Sequence, residues 1–352
     1  MNDRWEIGSE FHWMGLPEGP FVALPSDAVW YSLARHAITE VLATCGASTL
    51  WIPEYFCEDV VEHIQAYCRI KRYVDRPIQA EPTWETLSPA AGDIVLAVDY
   101  FGMRSPTAWY AWALKRNCIL LEDYSHDPAY GFRHSRADFA VSSLRKTLPV
   151  PDGAILWSPA GRALPQSPVG SAAGTEEKFA AMVWKCEYLS GRVDEKAKGI
   201  FRDWQVHGER VLCEQPVAAP APESITLCSR GIPEAWLERR RLNVEYLLGE
   251  LRSLGEARAI QPSIPYDGGT PFAVVLQFET HELRERVRHR LIEKRIYCPV
   301  HWPAGMGSST EAKRLSATLL TLISDQRYGT EDMKRIVYTL RKCLTKTKHL
   351  TK

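Results

Sequence analysis

The sequence predicts an α/β protein with a mainly parallel central sheet flanked by helices and a smaller C-terminal α+β domain. Two observations carry this. Short apolar runs alternate with helical stretches through the first half, which calls for crossover connections between parallel strands. The last third instead carries a long amphipathic helix followed by a strand and two more helices. At 352 residues the chain is long enough for two domains and for a substantial core.

The elements follow in order. From Ser26 to Cys45, Val29, Leu33, Ala37, Val41 and Leu42 recur at helical spacing, and Gly46 ends the run. Thr49 to Pro53 reads as a strand, Glu58 to Tyr67 as a helix, and Arg69 to Val74 as a strand. Ile94 to Tyr100 reads as a buried strand and Thr107 to Lys115 as a helix. Ile119 to Leu121 is a buried strand ending in Glu122-Asp123, and Phe139 to Leu144 and Ala154 to Trp157 are two more. Pro165 to Gly174 and Gln215 to Glu223 read as loops. A helix from Pro233 to Leu254 opens the smaller domain, with strand Phe272 to Phe278 and helices Glu282 to Lys294 and Asp332 to Cys343 after it. The expected boundary lies between residues 232 and 233, with the N-terminal segment in the larger domain.

Composition narrows the function classes. Forty-three basic and 43 acidic side chains cancel, which argues against a nucleic-acid or membrane-surface partner. No stretch reaches the roughly 18 apolar residues of a membrane span, and residues 1–13 lack the apolar core of a signal peptide. Nine scattered cysteines, none spaced C-x-x-C, fit reduced thiols of a cytoplasmic protein and not a zinc site.

Ligands of parallel sheets sit outside the carboxyl ends of the strands. Three features stand there. Asp123 closes the run Ile119-Leu-Leu-Glu-Asp; as an aspartate it is either a functional acid or a cap of the next helix. Lys146 follows Ser142-Ser-Leu-Arg, where a lysine is ordinarily a solvated loop residue. Asp152-Gly153-Ala154 is a turn leading into a strand.

Together they resemble the fold type I pyridoxal-phosphate enzymes, and among them the DegT-like sugar aminotransferases. Glu122-Asp123-Tyr-Ser-His126 is similar to that family's E-D-x-x-Q/H motif, Lys146 to its Schiff-base lysine, and Asp152-Gly153-Ala154 to its E-G-G turn. Leu33-Ala-Arg-His-Ala-Ile38 resembles the helix start near the cofactor phosphate, with Ala34 where the family has glycine. Ile52-Pro-Glu-Tyr-Phe-Cys57 resembles the segment that lays a side chain over the cofactor ring. Tyr100-Phe-Gly102 resembles the H-x-x-G turn, and Arg239 to Asn243 the R-x-x-N of the first small-domain helix.

The resemblance implies pyridoxal 5'-phosphate as cofactor and a homodimer that takes an amino-acid donor and a small carbonyl acceptor. Glutamate is the expected donor and a keto-sugar or other small carbonyl compound the expected acceptor. It implies roles as well. Lys146 would condense with the aldehyde cofactor, a chemistry suited to a lysine amine. Asp123 would hold the ring nitrogen protonated, and His126 would bond the ring oxygen or orient Asp123. Ser143 and the backbone N–H groups of Ala34 and Arg35 would bind phosphate. Tyr55 or Phe56 would stack on the ring. Arg327, a planar guanidinium, would take the donor's carboxylate, and His301 would line the acceptor side. A lyase, dehydratase or racemase shares these residues, and an inactive relative would keep the fold. A dinucleotide enzyme is disfavoured, because no G-x-G-x-x-G stands in the chain.

Overall fold

A computed structural model describes residues 4–251, 257–260, 269–305 and 307–345. The N-terminal segment carries β1 (Ile7–Gly8) and β2 (Phe21–Val22). The larger body follows as β3 (Val29–Tyr31), α1 (Ala34–Cys45), β4 (Thr49–Pro53), α2 (Glu58–Ile64), β5 (Arg69–Tyr73), β6 (Ile94–Val98) and α3 (Thr107–Ala113). It continues with β7 (Ile119–Asp123), α4 (Pro128–His134), β8 (Phe139–Ser143) and β9 (Ala154–Trp157). A helical hairpin, α5 (Thr175–Leu189) and α6 (Ala197–Glu214), leads through α7 (Pro222–Cys228) and β10 (Ile232–Pro233) to α8 (Glu234–Leu251). The C-terminal part is β11 (Ala257–Ile260), β12 (Ala273–Phe278), α9 (His281–Glu293), β13 (Ile296–Tyr297), α10 (Thr310–Thr318), β14 (Leu319–Ile323) and α11 (Thr330–Thr345).

Seven strands form the central sheet in the order β3-β9-β8-β7-β6-β4-β5. Strands β5, β4, β6, β7 and β8 run parallel, and β9 runs antiparallel to β8 and β3. Strands β4, β6, β8 and β9 are buried at every position. Such continuous apolar runs suit a parallel sheet covered on both faces. The sheet therefore brings the ends of β4, β6, β7 and β8 to one edge. The smaller sheet, β11-β12-β14, is antiparallel and packs under α8, α9 and α11.

Several expectations shift. The helix predicted from Ser26 begins only at Ala34; Val29–Tyr31 is a strand paired with Ala154–Leu156. Val29 and Leu33 share helical spacing by coincidence, and Leu33 is extended (φ −133°, ψ 148°). Gly46 ends α1 in the left-handed region, as expected. Strand β6 stops at Val98, and Tyr100–Gly102 forms a turn in which Phe101 has φ 57° and Gly102 φ 62°. The predicted residues 252–254 of α8 lie outside the described residues. Helices α4, α5, α6 and α10 were not read from the sequence. The N-terminal segment was expected with the larger body, but β1 pairs parallel with β13 and Ile7 packs in the C-terminal core. Among the described residues no helix is long and apolar enough to cross a membrane.

Candidate active site

A cavity of about 200 Å³ opens at the carboxyl edge of the large sheet. Asp123, His126, Ser143, Lys146, Phe56 and the start of α1 all face it, together with His301 and Trp302 from the C-terminal part.

Asp123 ends β7 half-buried, held there by the apolar Leu120 and Leu121 before it. Its Oδ1 accepts the N–H of Ser125 (2.8 Å). It is not the cap of the next helix. Asp127 caps α4, accepting the N–H of Tyr130. The carboxylate of Asp123 is thus left for another partner.

His126 is buried, and its Nδ1 accepts the N–H of Phe101 (3.0 Å). That bond puts the ring proton on Nε2, which has no partner among the described residues. Burial first, then the nearby Lys146 and His301, push the imidazole well below its ordinary range. A neutral ring with a single free N–H donor results. Phe101 stacks on it at 5.0 Å and 7°, Phe272 at 4.6 Å and 25°. The left-handed turn at Phe101 is what aims both its N–H and its ring at His126. Gly102 lets that turn pass close by, since a Cβ there would stand 2.8 Å from the carbonyl oxygen of Thr270.

Lys146 sits in a short 3₁₀ turn, Leu144–Lys146, anchored by the fully buried Leu144. Its Nζ has no ion-pair partner among the described residues and lies 6.0 Å from the centre of the Trp302 ring. Ser143 ends β8 one turn before it, its N–H bonded to Ser125 Oγ (3.0 Å). Opposite, α1 starts without a side-chain cap: Leu33 stands at the capping position and offers none. Ala34 and Arg35 line the cavity at this helix start, where no side chain caps the first amides. Arg35 itself contacts only the carbonyl of Asp59 (3.2 Å).

Of the two ring-stacking candidates, Phe56 lines the cavity. Tyr55 does not: it is buried in packing, with its hydroxyl bonded to the carbonyl of His301. His301 lines the wall, bonded through Nδ1 to Thr321 Oγ1 (3.0 Å), and burial with Lys146 lowers it to about 3. Arg327 is a correction. Its guanidinium forms a two-point ion pair with Asp325 (2.9 and 2.8 Å) and bonds the carbonyls of Ser9 and Glu10, away from the cavity lining. With four of its five N–H donors taken, this guanidinium has no free two-point edge for a substrate carboxylate.

Sequence reasoning missed the wall that α6 supplies. Glu209 forms a two-point pair with Arg145 (2.5 and 2.8 Å), and Lys178 of α5 closes on the same carboxylate. Burial pushes that carboxyl up, but Arg145 and Lys178 together hold it well below the ordinary range. One signal was present. Phe201, Gln205, Gly208 and Leu212 recur at helical spacing and are all buried. Gly208 marks a close approach, because a Cβ there would meet Gly174 O at 2.7 Å.

No family model and no curated protein matches the sequence. Solved structures share its fold. The seven-stranded sheet with one antiparallel strand, the lysine turn between β8 and β9, and the small α+β part have fold type I of the pyridoxal-phosphate-dependent transferases. Within that fold the chain is similar to the aminotransferase TlmJ of Streptoalloteichus hindustanus, at 15% identity and TM-score 0.60, over 91% of this chain and 86% of that one. It is similar to DesV of S. venezuelae at 14% and 0.62, over 91% and 85%. A DegT DnrJ EryC1 StrS aminotransferase of Brucella abortus aligns at 13% and 0.55, over 90% and 86%.

Proposed function

We propose that this chain is a pyridoxal-phosphate-dependent aminotransferase that moves an amino group from an amino-acid donor, glutamate in our reading, to a keto-sugar or other small carbonyl compound. The observation that carries the proposal is one juxtaposition. A lysine with no ion-pair partner and a buried histidine whose Nε2 has no partner among the described residues face one cavity at the sheet edge of fold type I, together with a strand-end aspartate whose Oδ1 accepts the N–H of Ser125. A further solved structure of the same fold, a putative sugar aminotransferase of Streptococcus pneumoniae (12% identity, TM-score 0.62, over 91% of this chain and 87% of that one), is known in a PLP-form and a PMP-form, which supports the cofactor.

The residues present fit that group. An orphaned Nε2–H asks for an acceptor, as the ring oxygen would be. An uncapped helix start beside Ser143 asks for an anion, as the phosphate would be. Pyridoxal phosphate, when bound, supplies an aldehyde that condenses with amines and a ring that withdraws electrons from the neighbouring carbon. The chain supplies the rest. Lys146 would hold the cofactor through its amine, and its Nζ would be the group that moves a proton at the reacting carbon. Asp123 keeps a proton at the ring nitrogen. His126 would donate to the ring oxygen and Phe56 would pack on the ring, with Trp302 and His301 lining the same cavity. In our reading the active form is a homodimer; light scattering that returns the mass of a single chain would count against it.

The test is spectroscopic. Purified protein with the cofactor should absorb in the visible, and borohydride should fix the label on Lys146. Glutamate should then bleach that band and release 2-oxoglutarate. Loss of water, of carbon dioxide or of stereochemistry without any transamination would favour the lyase, dehydratase or racemase reading.

A further inference from the structure

Glu122 and Asp123 point to opposite faces of β7. Asp123 faces the large cavity, and on the Glu122 side lies a second one of about 10 Å³. Asp99, Arg104, Trp109, Glu122 and Tyr124 are among its lining residues. Three of them carry buried polar atoms with no hydrogen-bond partner among the described residues: both carboxyl oxygens of Asp99, Oε1 of Glu122 and Nε1 of Trp109. Glu122 and Trp109 are each 3% exposed. Asp99 is only partly buried as a residue, but its two oxygens are shut from solvent. Arg104 does not serve them, because it is engaged with Asp75 in a two-point pair (2.7 and 2.8 Å). Trp109 is held in place by the rings of Tyr73, Trp84 and Trp112, which pack against it at steep angles (5.7, 5.0 and 5.6 Å). Buried polar atoms left unpaired are costly, so an occupant is expected.

The unpaired atoms select the occupant. It must accept a bond from the indole N–H and give one to a carboxylate. A metal ion or an ammonium ion accepts no hydrogen bond, and among the described residues no three acids, histidines or cysteines are grouped to hold a metal. Water does both, and the volume is about that of one water. A proton is needed as well, since two buried carboxylates around one water do not both stay charged. Burial first, then the charge of Asp127, push Asp99 well above the ordinary carboxylate range; Arg104 opposes this, and Glu122 and Asp123 add to the rise. Burial also pushes Glu122 up to about 7, against hydrogen bonds from Ser135, Tyr110 and Tyr124. We propose that Asp99, Glu122 and Trp109 hold one water molecule and share one proton. The water accepts from Trp109 Nε1 and from the Asp99 carboxyl, and donates to Glu122 Oε1. Asp99 is then a positioning residue. Its N–H donates to the carbonyl of Asp123 (3.1 Å), and it precedes the turn whose Phe101 N–H reaches His126. Kept neutral, it places no second charge behind Asp123.

Three measurements on the cofactor-loaded protein test this. Infrared spectra at neutral pH should show the carbonyl stretch of a protonated carboxyl, and Asp99→Asn should remove it. Oxygen-17 relaxation dispersion should count one long-lived water fewer in Trp109→Phe than in the wild type. Wild-type unfolding free energy should fall as pH rises above the ordinary aspartate range, where the unfolded chain has released the proton and the folded chain has not; Asp99→Asn should lose that fall. Because the proton is shared, the changes in slope from Asp99→Asn and Glu122→Gln should be less than additive. If Trp109→Phe does not fold, the infrared band and the Asp99→Asn slope still decide. No protonated-carboxyl band in the wild type, an unchanged water count in Trp109→Phe, or additive slopes overturns the proposal. So does a melting temperature that potassium or ammonium raises in the wild type and not in Asp99→Asn, which would make this a cation site. A chain that takes up no cofactor yet gives the band and the water would overturn the aminotransferase reading and leave this site standing.

Discussion

The floor of the cavity and its rim are built on different principles. The floor is made of strand ends: Asp123, Ser143 and Lys146 each follow an apolar run within a few residues, and the parallel register of β6, β7 and β8 aligns them. The rim is made of charges and rings brought from far along the chain: Glu209 of α6, Lys178 of α5, and His301 with Trp302 after β13. A floor residue has its neighbours fixed by the sheet, so replacing it removes a chemical role. A rim residue is held by partners that can re-pair with water or with one another.

The largest effect should come from the centre of the floor. Lys146→Ala should lose all covalent cofactor retention, read as the absence of borohydride-fixed mass, and all measurable turnover. Asp123→Asn should fold normally and lose about 100-fold or more in turnover, the scale of a removed acid-base group. Near-normal turnover would reduce Asp123 to a strand terminator and remove the floor's distinction.

Beneath the floor, Asp75 and Arg104 form a buried pair at the foot of the Phe101 turn. Asp75→Ala strands a guanidinium and should cost about 3–5 kcal/mol in urea unfolding. Glu122, behind Asp123, is pushed up to about 7 by burial, against hydrogen bonds from Ser135 and Tyr110 that pull it down. The folded chain then holds that proton more tightly than the unfolded one. Its contribution is full below the ordinary glutamate range and is lost as pH rises through 7. Glu122→Gln should flatten this loss, of order 3 kcal/mol at most, in the difference between the two unfolding profiles. Parallel profiles would refute it.

The smallest effect belongs to the rim. Glu209→Gln releases Arg145 and Lys178, but its side chain is about a third exposed, so solvent takes up much of the loss. About 1 kcal/mol or less in stability and a few-fold in turnover are expected. An effect as large as that of Asp123→Asn would break the comparison and make the hairpin part of the catalytic floor.

This contrast also sets how far the sequence could be read. The strands that build the floor announce themselves as short apolar runs, and the motif around Asp123 and Lys146 depends on spacing alone. The rim has no such local signature. Arg327 looked available because its partner is two residues away, and only the backbone turn at Asp325 brings the two into a fork. The strand at Val29 was hidden by an accident of spacing, and its partner β9 lies over a hundred residues on.

Strand β1 has one more consequence, in the time a ribosome takes. Ile7–Gly8 pairs with Ile296–Tyr297, the strand that feeds His301 and Trp302 into the cavity. At about 5–20 residues per second, roughly 15–60 s of synthesis separates the two. For that interval Ile7 has no C-terminal core to enter, although α5 and α6, against which Trp5 also packs, and the large sheet have emerged in full. Residues made early are thus placed late, and the wall that carries His301 and Trp302 is complete only once β13 has emerged to pair with β1.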